Sequence, residues 1–144
     1  MEVQVLSSAR LGEYQVDYLY TKLLTKDLAQ SQRFVRDVLG GRIVRQQDQC
    51  FECDLFGQLI VFECLSMQDT LQSKVSHQVP VVVNERYQLD VLYERCLSHD
   101  VEILKEPAKA LDAESSFFNL IIFDPMGYTM EFKYYTFQFQ GVEG

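Results

Sequence analysis

The chain alternates apolar and polar positions with period two over several short stretches, and in two places it switches to a helical spacing. Residues 14–25 are rich in aromatic and β-branched side chains and predict a strand. Lys26-Asp27 stops it, with Asp27 or Thr25 placed to cap a helix. Over 28–39 the apolar residues Leu28, Phe34, Val35, Val38 and Leu39 fall on one helical face, and Gly40-Gly41 supplies the left-handed ending that a helix C-terminus prefers. Strands are predicted at 42–46, 50–55 and 58–65, with Phe56-Gly57 as the turn between the last two.

A polar stretch, 67–74, joins this half to the next. Residues 79–83 form a β-branched strand interrupted by Pro80, which predicts an edge position or a bulge. Leu89, Leu92, Tyr93, Cys96 and Leu97 define a second short amphipathic helix, ended by Ser98-His99-Asp100. A strand starts at 101–104, and 106–116 reads as a loop. The last feature is the most informative. Leu120-Ile-Ile-Phe123 enters a tight Asp124-Pro-Met-Gly127 turn, and Thr129-Met-Glu-Phe-Lys-Tyr-Tyr135 leaves it. On the exit strand Met130, Phe132 and Tyr134 share one face, and Thr129, Glu131, Lys133 and Tyr135 the other.

Strand, helix, then three strands has now occurred twice. The expected architecture is α+β: two βαβββ units, at about 14–66 and 76–136, within one domain spanning 1–144. Their curved, mixed and antiparallel sheets would surround a cup, with the helices outside. Polar side chains pointing into such a cup must be paired or functional.

Composition narrows the function. The 144 residues carry a formal charge of −8 and no run of Lys and Arg, which disfavours nucleic acid and anionic membrane as partners. Hydrophobic residues make up 47%, enough for a well-buried core, yet no apolar run approaches the roughly 18 residues of a membrane span. The first residues lack a basic segment followed by an apolar one, so a cytoplasmic location is expected, with Cys50, Cys53, Cys64 and Cys96 as free thiols. Cys50-Phe-Glu-Cys53 lies in an alternating run whose spacing of three sends the two sulfurs to opposite faces, so a zinc site is not expected there. Nucleophile elbows, phosphate-binding glycine loops and dinucleotide fingerprints are absent from the sequence.

The closing hairpin with Glu131 resembles that of the vicinal-oxygen-chelate superfamily: glyoxalases, bleomycin- and fosfomycin-resistance proteins and extradiol dioxygenases. Lys26-Asp27-Leu28 followed by Phe34-Val-Arg-Asp37-Val-Leu-Gly40 resembles the superfamily's first helix. Phe56-Gly57 before Leu59-Ile-Val61, and Leu92-Tyr-Glu-Arg95 running into Val101-Glu-Ile-Leu104-Lys-Glu-Pro107, fit the same pattern. The resemblance implies a homodimer or similar paired-unit arrangement, and one divalent metal (zinc, nickel, iron or manganese) in the cup. It also implies ligands on the first and last strands of each unit. Carried over, these are Glu131 and Glu63 on the last strands and His77 on the second unit's first strand, where Gln78 competes for the inward place. The usual first-strand histidine is replaced by Tyr20, a poor ligand at neutral pH without help.

Lys22 and Lys133 lie two residues from Tyr20 and Glu131, on the same strand faces, where each competes with a metal or serves an anionic ligand. His99, at a helix C-terminus, reads as structural. Two functions follow. One is a metal-free small-molecule binder with a degenerate metal site, using Tyr18, Tyr20 and Tyr135 to stack on a ligand and Lys22 and Lys133 to read its charge. The other is a divalent-metal-dependent lyase or dioxygenase around Glu63, His77, Glu131 and Tyr20, in which Glu131 or Glu63 doubles as the base.

Overall fold

A computed structural model describes residues 2–11, 14–65, 78–109 and 117–136, with side chains described from residue 21 onward. The chain divides into two units, Met1–His77 and Gln78–Gly144.

The first unit holds β1 (Glu2–Leu11), β2 (Tyr14–Thr25), α1 (Leu28–Arg33), β3 (Arg42–Gln46), β4 (Cys50–Leu55) and β5 (Gln58–Cys64). The sheet order is β1-β2-β5-β4-β3. Strands β2 and β5 run parallel, and the other neighbours are antiparallel. Strand β1 was not expected from the sequence. It pairs with most of β2, from Glu2 opposite Lys22 to Leu11 opposite Tyr14. Its composition, Glu-Val-Gln-Val-Leu-Ser-Ser-Ala-Arg-Leu, carries no strong strand signal; the unpaired edge of β2 supplies the partner.

The helix start follows its chemistry. Asp27 Oδ1 accepts from the Gln30 amide at 3.0 Å, while Thr25 Oγ1 accepts from the Asp27 amide at 3.1 Å and shares a buried 2.8 Å bond with Ser31 Oγ. After Arg33 the helix widens into a π turn over Phe34–Val38, and Leu39 N donates to Phe34 O at 3.1 Å. Gly40 (φ 70°) reverses the chain. Gly41 sits so close to its surroundings that a Cβ there would meet Leu55 Cδ2 at 2.5 Å and Val35 Cγ1 at 2.8 Å. This closeness seats the helix on the sheet. Beneath it Phe51 and Phe62 stack at 4.9 Å between centroids, 11° from parallel. Leu23, Val35, Cys53, Leu55 and Ile60 complete a fully buried core.

The second unit holds β6 (Gln78–Val82), α2 (Tyr87–Ser98), β7 (Ile103–Lys109), β8 (Phe117–Phe123) and β9 (Thr129–Tyr135), in sheet order β6-β9-β8-β7. Strand β6 is an edge strand, as Pro80 required, and pairs parallel with β9. The expected loop after Glu106 is instead strand as far as Lys109. Two register shifts, between Ile103 and Lys105 and between Lys105 and Ala108, carry β7 past Pro107 while it stays paired to β8. One sheet face packs Val79, Val81, Leu120, Ile122, Met130 and Phe132 into a core with Leu89, Leu92 and Cys96 of α2.

Each unit closes with a hairpin whose turn is built by an aspartate. Asp54 Oδ1 accepts from the Gly57 amide at 2.7 Å, and Phe56 (φ 53°) and Gly57 (φ 90°) form a two-residue turn with both centres left-handed. In the second unit Asp124 Oδ1 accepts from the amides of Met126 at 2.9 Å and Tyr128 at 2.8 Å, with Gly127 at φ 92°. The architecture is α+β with two βαβββ units, the first extended by β1. Among the described residues no helix is long and apolar enough to cross a membrane.

Candidate functional site

The face of the second sheet away from α2 carries the chemistry. Strand pairing sets Asn119 opposite Lys133, Ile121 opposite Glu131, and Phe117 opposite Tyr135. Parallel pairing brings Gln78, Pro80 and Val82 to the same face, beside Thr129, Glu131 and Lys133. On the other flank Lys105 pairs with Ile121 and Ala108 with Asn119.

Glu131 is buried, and both its oxygens face protein cations or donors. Asn119 Nδ2 donates to Oε2 at 2.8 Å, and Lys133 Nζ stands 3.7 Å from Oε1. Lys133 Nζ also lies 5.0 Å from the centroid of the Phe117 ring, which tilts against Tyr135 at 5.5 Å. Lys105 Nζ donates to the Ala108 carbonyl at 3.2 Å. Desolvation lowers the Lys105 pKa, and the Glu131 charge partly offsets this. Asn119 is buried too, and its Oδ1 has no hydrogen-bond partner among the described residues.

The first unit uses its corresponding face differently. Each turn glycine is followed after four positions by Val61 or Glu131, and after six by Glu63 or Lys133. The strand position that holds Glu131 in one unit is therefore apolar in the other. Glu63 pairs with Lys22 instead, Nζ to Oε2 at 3.1 Å. Beside it, Arg42 lies 3.5 Å from Asp54, and Arg45 faces Glu52 across the β3–β4 ladder. A cleft of about 140 Å³ lined by Arg45, Gln47, Cys50, Phe51 and Glu52 opens here. It is well below the roughly 300–1,000 Å³ of ordinary ligand pockets. Cys50 and Cys53 lie on opposite faces, Cys53 fully buried and its thiol pushed up to about 12 by desolvation.

The sequence-derived candidates distribute as follows. Glu131, Lys133 and Tyr135 share one face of the second sheet, and Lys22 and Glu63 form an ion pair in the first unit. Tyr18 and Tyr20 stand in β2 opposite Ser7 and Gln4 of β1. His77 lies outside the described residues. Gln78, two residues before Pro80, is on the Glu131 face by register. Asn119 and Lys105 were missed. Asn119 was hidden in the apolar run Phe117-Phe-Asn-Leu-Ile-Ile-Phe123, where one amide in a buried strand was the available signal. Lys105 stood next to a segment read as loop.

A divalent metal does not fit the described side chains. Each of the two candidate carboxylates has a lysine ammonium as its partner, and a hard cation has to displace that ammonium to reach the oxygens. Among the described residues no group of three or more His, Cys, Asp or Glu is arranged to hold a metal ion.

Two βαβββ units, the second with a buried glutamate fixed on an inner strand, define the fold class. The profile of the Glyoxalase/Bleomycin resistance protein/Dioxygenase superfamily matches residues 17–132, and the chain belongs to that superfamily. Among solved structures it is similar to a glyoxalase/bleomycin resistance protein/dioxygenase from Alicyclobacillus acidocaldarius, with TM-score 0.66 and 18% identity over 82% of this chain and 90% of that one. It is also similar to a lactoylglutathione lyase from Agrobacterium tumefaciens, with TM-score 0.62 and 16% identity over 80% and 90%. A third likeness is to the genomically encoded fosfomycin resistance protein FosX from Listeria monocytogenes, with TM-score 0.63 and 16% identity over 81% and 91%. No curated protein matches the sequence.

Proposed function

We propose that this protein is a small-molecule-binding member of its superfamily, one domain over 1–144, in which the ancestral metal position has become an ion-paired ligand-reading site. The observation that carries this reading is the state of Glu131: Asn119 holds one carboxylate oxygen at 2.8 Å and Lys133 faces the other at 3.7 Å. A carboxylate neutralised in this way orients a neighbouring cation and amide toward a ligand better than it chelates a metal. Lys133, Tyr135 and Glu131 read the ligand from the second sheet; Tyr18, Tyr20 and Lys22 are the first unit's candidates for the same role. The protein acts in the cytoplasm as a homodimer.

The competing reading is a divalent-metal-dependent lyase or dioxygenase using Glu63, His77, Glu131 and Tyr20. It draws support from the rigid, buried placement of Glu131 on a central strand. Elemental mass spectrometry of untagged protein, purified without chelator, separates the two. The binding module carries no stoichiometric metal, even after incubation with zinc, nickel, iron or manganese. One bound metal per chain establishes the enzyme reading.

A further inference from the structure

On the face of the second sheet away from α2, Asn119, Ile121, Thr129 and Glu131 are buried while Gln78, Pro80 and Val82 along β6 are exposed, and the charges and hydrogen-bonding groups there together specify a ligand. Among the described residues, register places Lys105, Glu131 and Lys133 on that face, two cations against one carboxylate. The other charged side chains of β7 sit elsewhere: Glu106 accepts from Tyr93 Oη of α2 at 3.1 Å, and Lys109 pairs with Phe118 on the opposite parity. On the first unit's corresponding face the described charges instead match one to one: Lys22 with Glu63, Arg42 with Asp54, and Arg45 opposite Glu52. A net positive patch within a chain of formal charge −8 selects an anion.

The Lys133–Glu131 separation of 3.7 Å is longer than a hydrogen bond, so the ammonium keeps donors to offer. It lies 5.0 Å from the Phe117 centroid, and Tyr135 beside that ring is 39% exposed. Cation and aromatic surface are therefore offered together. Asn119 adds the third element. Its Nδ2 is fixed on Glu131 at 2.8 Å, and this orients Oδ1, an acceptor that is buried without a partner among the described residues. A donor on the ligand satisfies this acceptor.

Building on the binding-module reading, we infer that this face takes a small aromatic acid carrying a hydroxyl or N–H donor as well as its carboxylate. The carboxylate meets Lys133 and Lys105, the ring lies along Phe117 and Tyr135, and the donor reaches Asn119 Oδ1 as the Lys133 side chain turns toward the acid group.

The test is calorimetric titration of the full chain with three probes: 3-hydroxybenzoate (ring, acid and free donor), benzoate (no donor) and 3-hydroxybenzyl alcohol (no charge). 3-Hydroxybenzoate binds, and each of the other two binds more weakly by roughly tenfold or more. Lys133→Gln and Lys105→Gln each weaken 3-hydroxybenzoate by a similar factor, while Lys109→Gln, on the opposite face, leaves it unchanged. Circular dichroism checks the fold of each variant, and a Lys133 variant that fails to fold leaves Lys105→Gln and the probe series to decide. Absence of 3-hydroxybenzoate binding at millimolar concentration overturns the inference. So does equal binding of benzoate or of 3-hydroxybenzyl alcohol, or full affinity in folded Lys105→Gln and Lys133→Gln proteins. These results leave the metal-content experiment untouched, so loss of this ligand class is distinguishable from loss of the binding-module reading.

Discussion

Asn119 and Glu131 meet diagonally across the closing hairpin, Nδ2 to Oε2 at 2.8 Å, and both are buried. Their strand neighbours explain the geometry: Asn119 pairs directly with Lys133 and Glu131 with Ile121, so the amide reaches back along the ladder to the carboxylate. The bond holds the carboxylate in a nearly dry place, with Lys133 Nζ 3.7 Å from its other oxygen.

Removing that amide strands the carboxylate. Asn119→Ala is expected to lower unfolding free energy by about 1–3 kcal/mol, because Glu131 loses its charge-assisted partner while staying buried. In the double variant Asn119→Ala with Glu131→Ala the two costs are less than additive. Urea denaturation of the three variants measures this, and strict additivity argues against the pairing.

Stability also carries a pH signature from Asp124. Burial lifts its folded-state pKa from 3.8 to about 6, with amides of the turn partly offsetting the rise. The unfolded chain releases this proton first as pH increases. Between the two values the native state therefore binds more protons, and its stability falls with rising pH. The loss is complete above the folded value and amounts to at most about 3 kcal/mol. Asp124→Asn removes this dependence while its side-chain oxygen still accepts from Met126 and Tyr128. The stability difference between wild type and variant, followed by denaturation through that window, shifts in favour of the variant as pH rises; a constant difference contradicts the assignment.

Gly41 is demanded by space. A methyl group there would stand 2.5 Å from Leu55 Cδ2 and 3.2 Å from the Asp54 carbonyl oxygen. Gly41→Ala is expected to cost about 1–3 kcal/mol through overpacking. Combining it with Leu55→Ala gives a smaller total than the sum of the single effects. Gly57 differs: a Cβ there meets nothing within 4 Å, and its cost comes from φ of +90° alone.

Thiol reactivity divides the four cysteines by burial. Cys53 and Cys96 are buried, with thiols pushed up to about 12 and about 11, and are expected to resist a disulfide reagent in the native protein. Cys50 and Cys64 are half-buried, and Cys50 reacts slowly because desolvation, then Glu63 and Glu52, disfavour its thiolate. Counting modified thiols before and after denaturation checks this; rapid native modification of Cys53 is the contrary result.

The fold was legible because its signals were local. Asp27 as a cap, Gly40 as a reversal, Phe56-Gly57 as a turn and Pro80 on an edge each follow from one residue's backbone or hydrogen-bonding chemistry. The two misses were cooperative. Strand β1 exists because β2 offers an edge, and β7 continues past Pro107 because register shifts keep it paired to β8. Both facts depend on a partner strand, which residues 2–11 and 106–109 do not announce by themselves.

The site was legible in part for the same reason. Glu131 and Lys133 share a strand, so alternation alone places them on one face. Asn119 reaches Glu131 from another strand, and one amide among Phe, Leu and Ile does not announce a partner on the neighbouring strand. Glu63 stands on the last strand of the first unit as Glu131 does in the second, and it pairs with Lys22 at 3.1 Å.

The most direct test of the ion-paired site is calorimetric titration of chelator-treated protein with zinc, nickel and manganese, run on wild type and Glu131→Ala side by side. No one-to-one binding is expected in either protein, and the two traces are indistinguishable. One-to-one binding by wild type that disappears in Glu131→Ala would show that Glu131 releases Lys133 for a metal, and would contradict the ion-paired site.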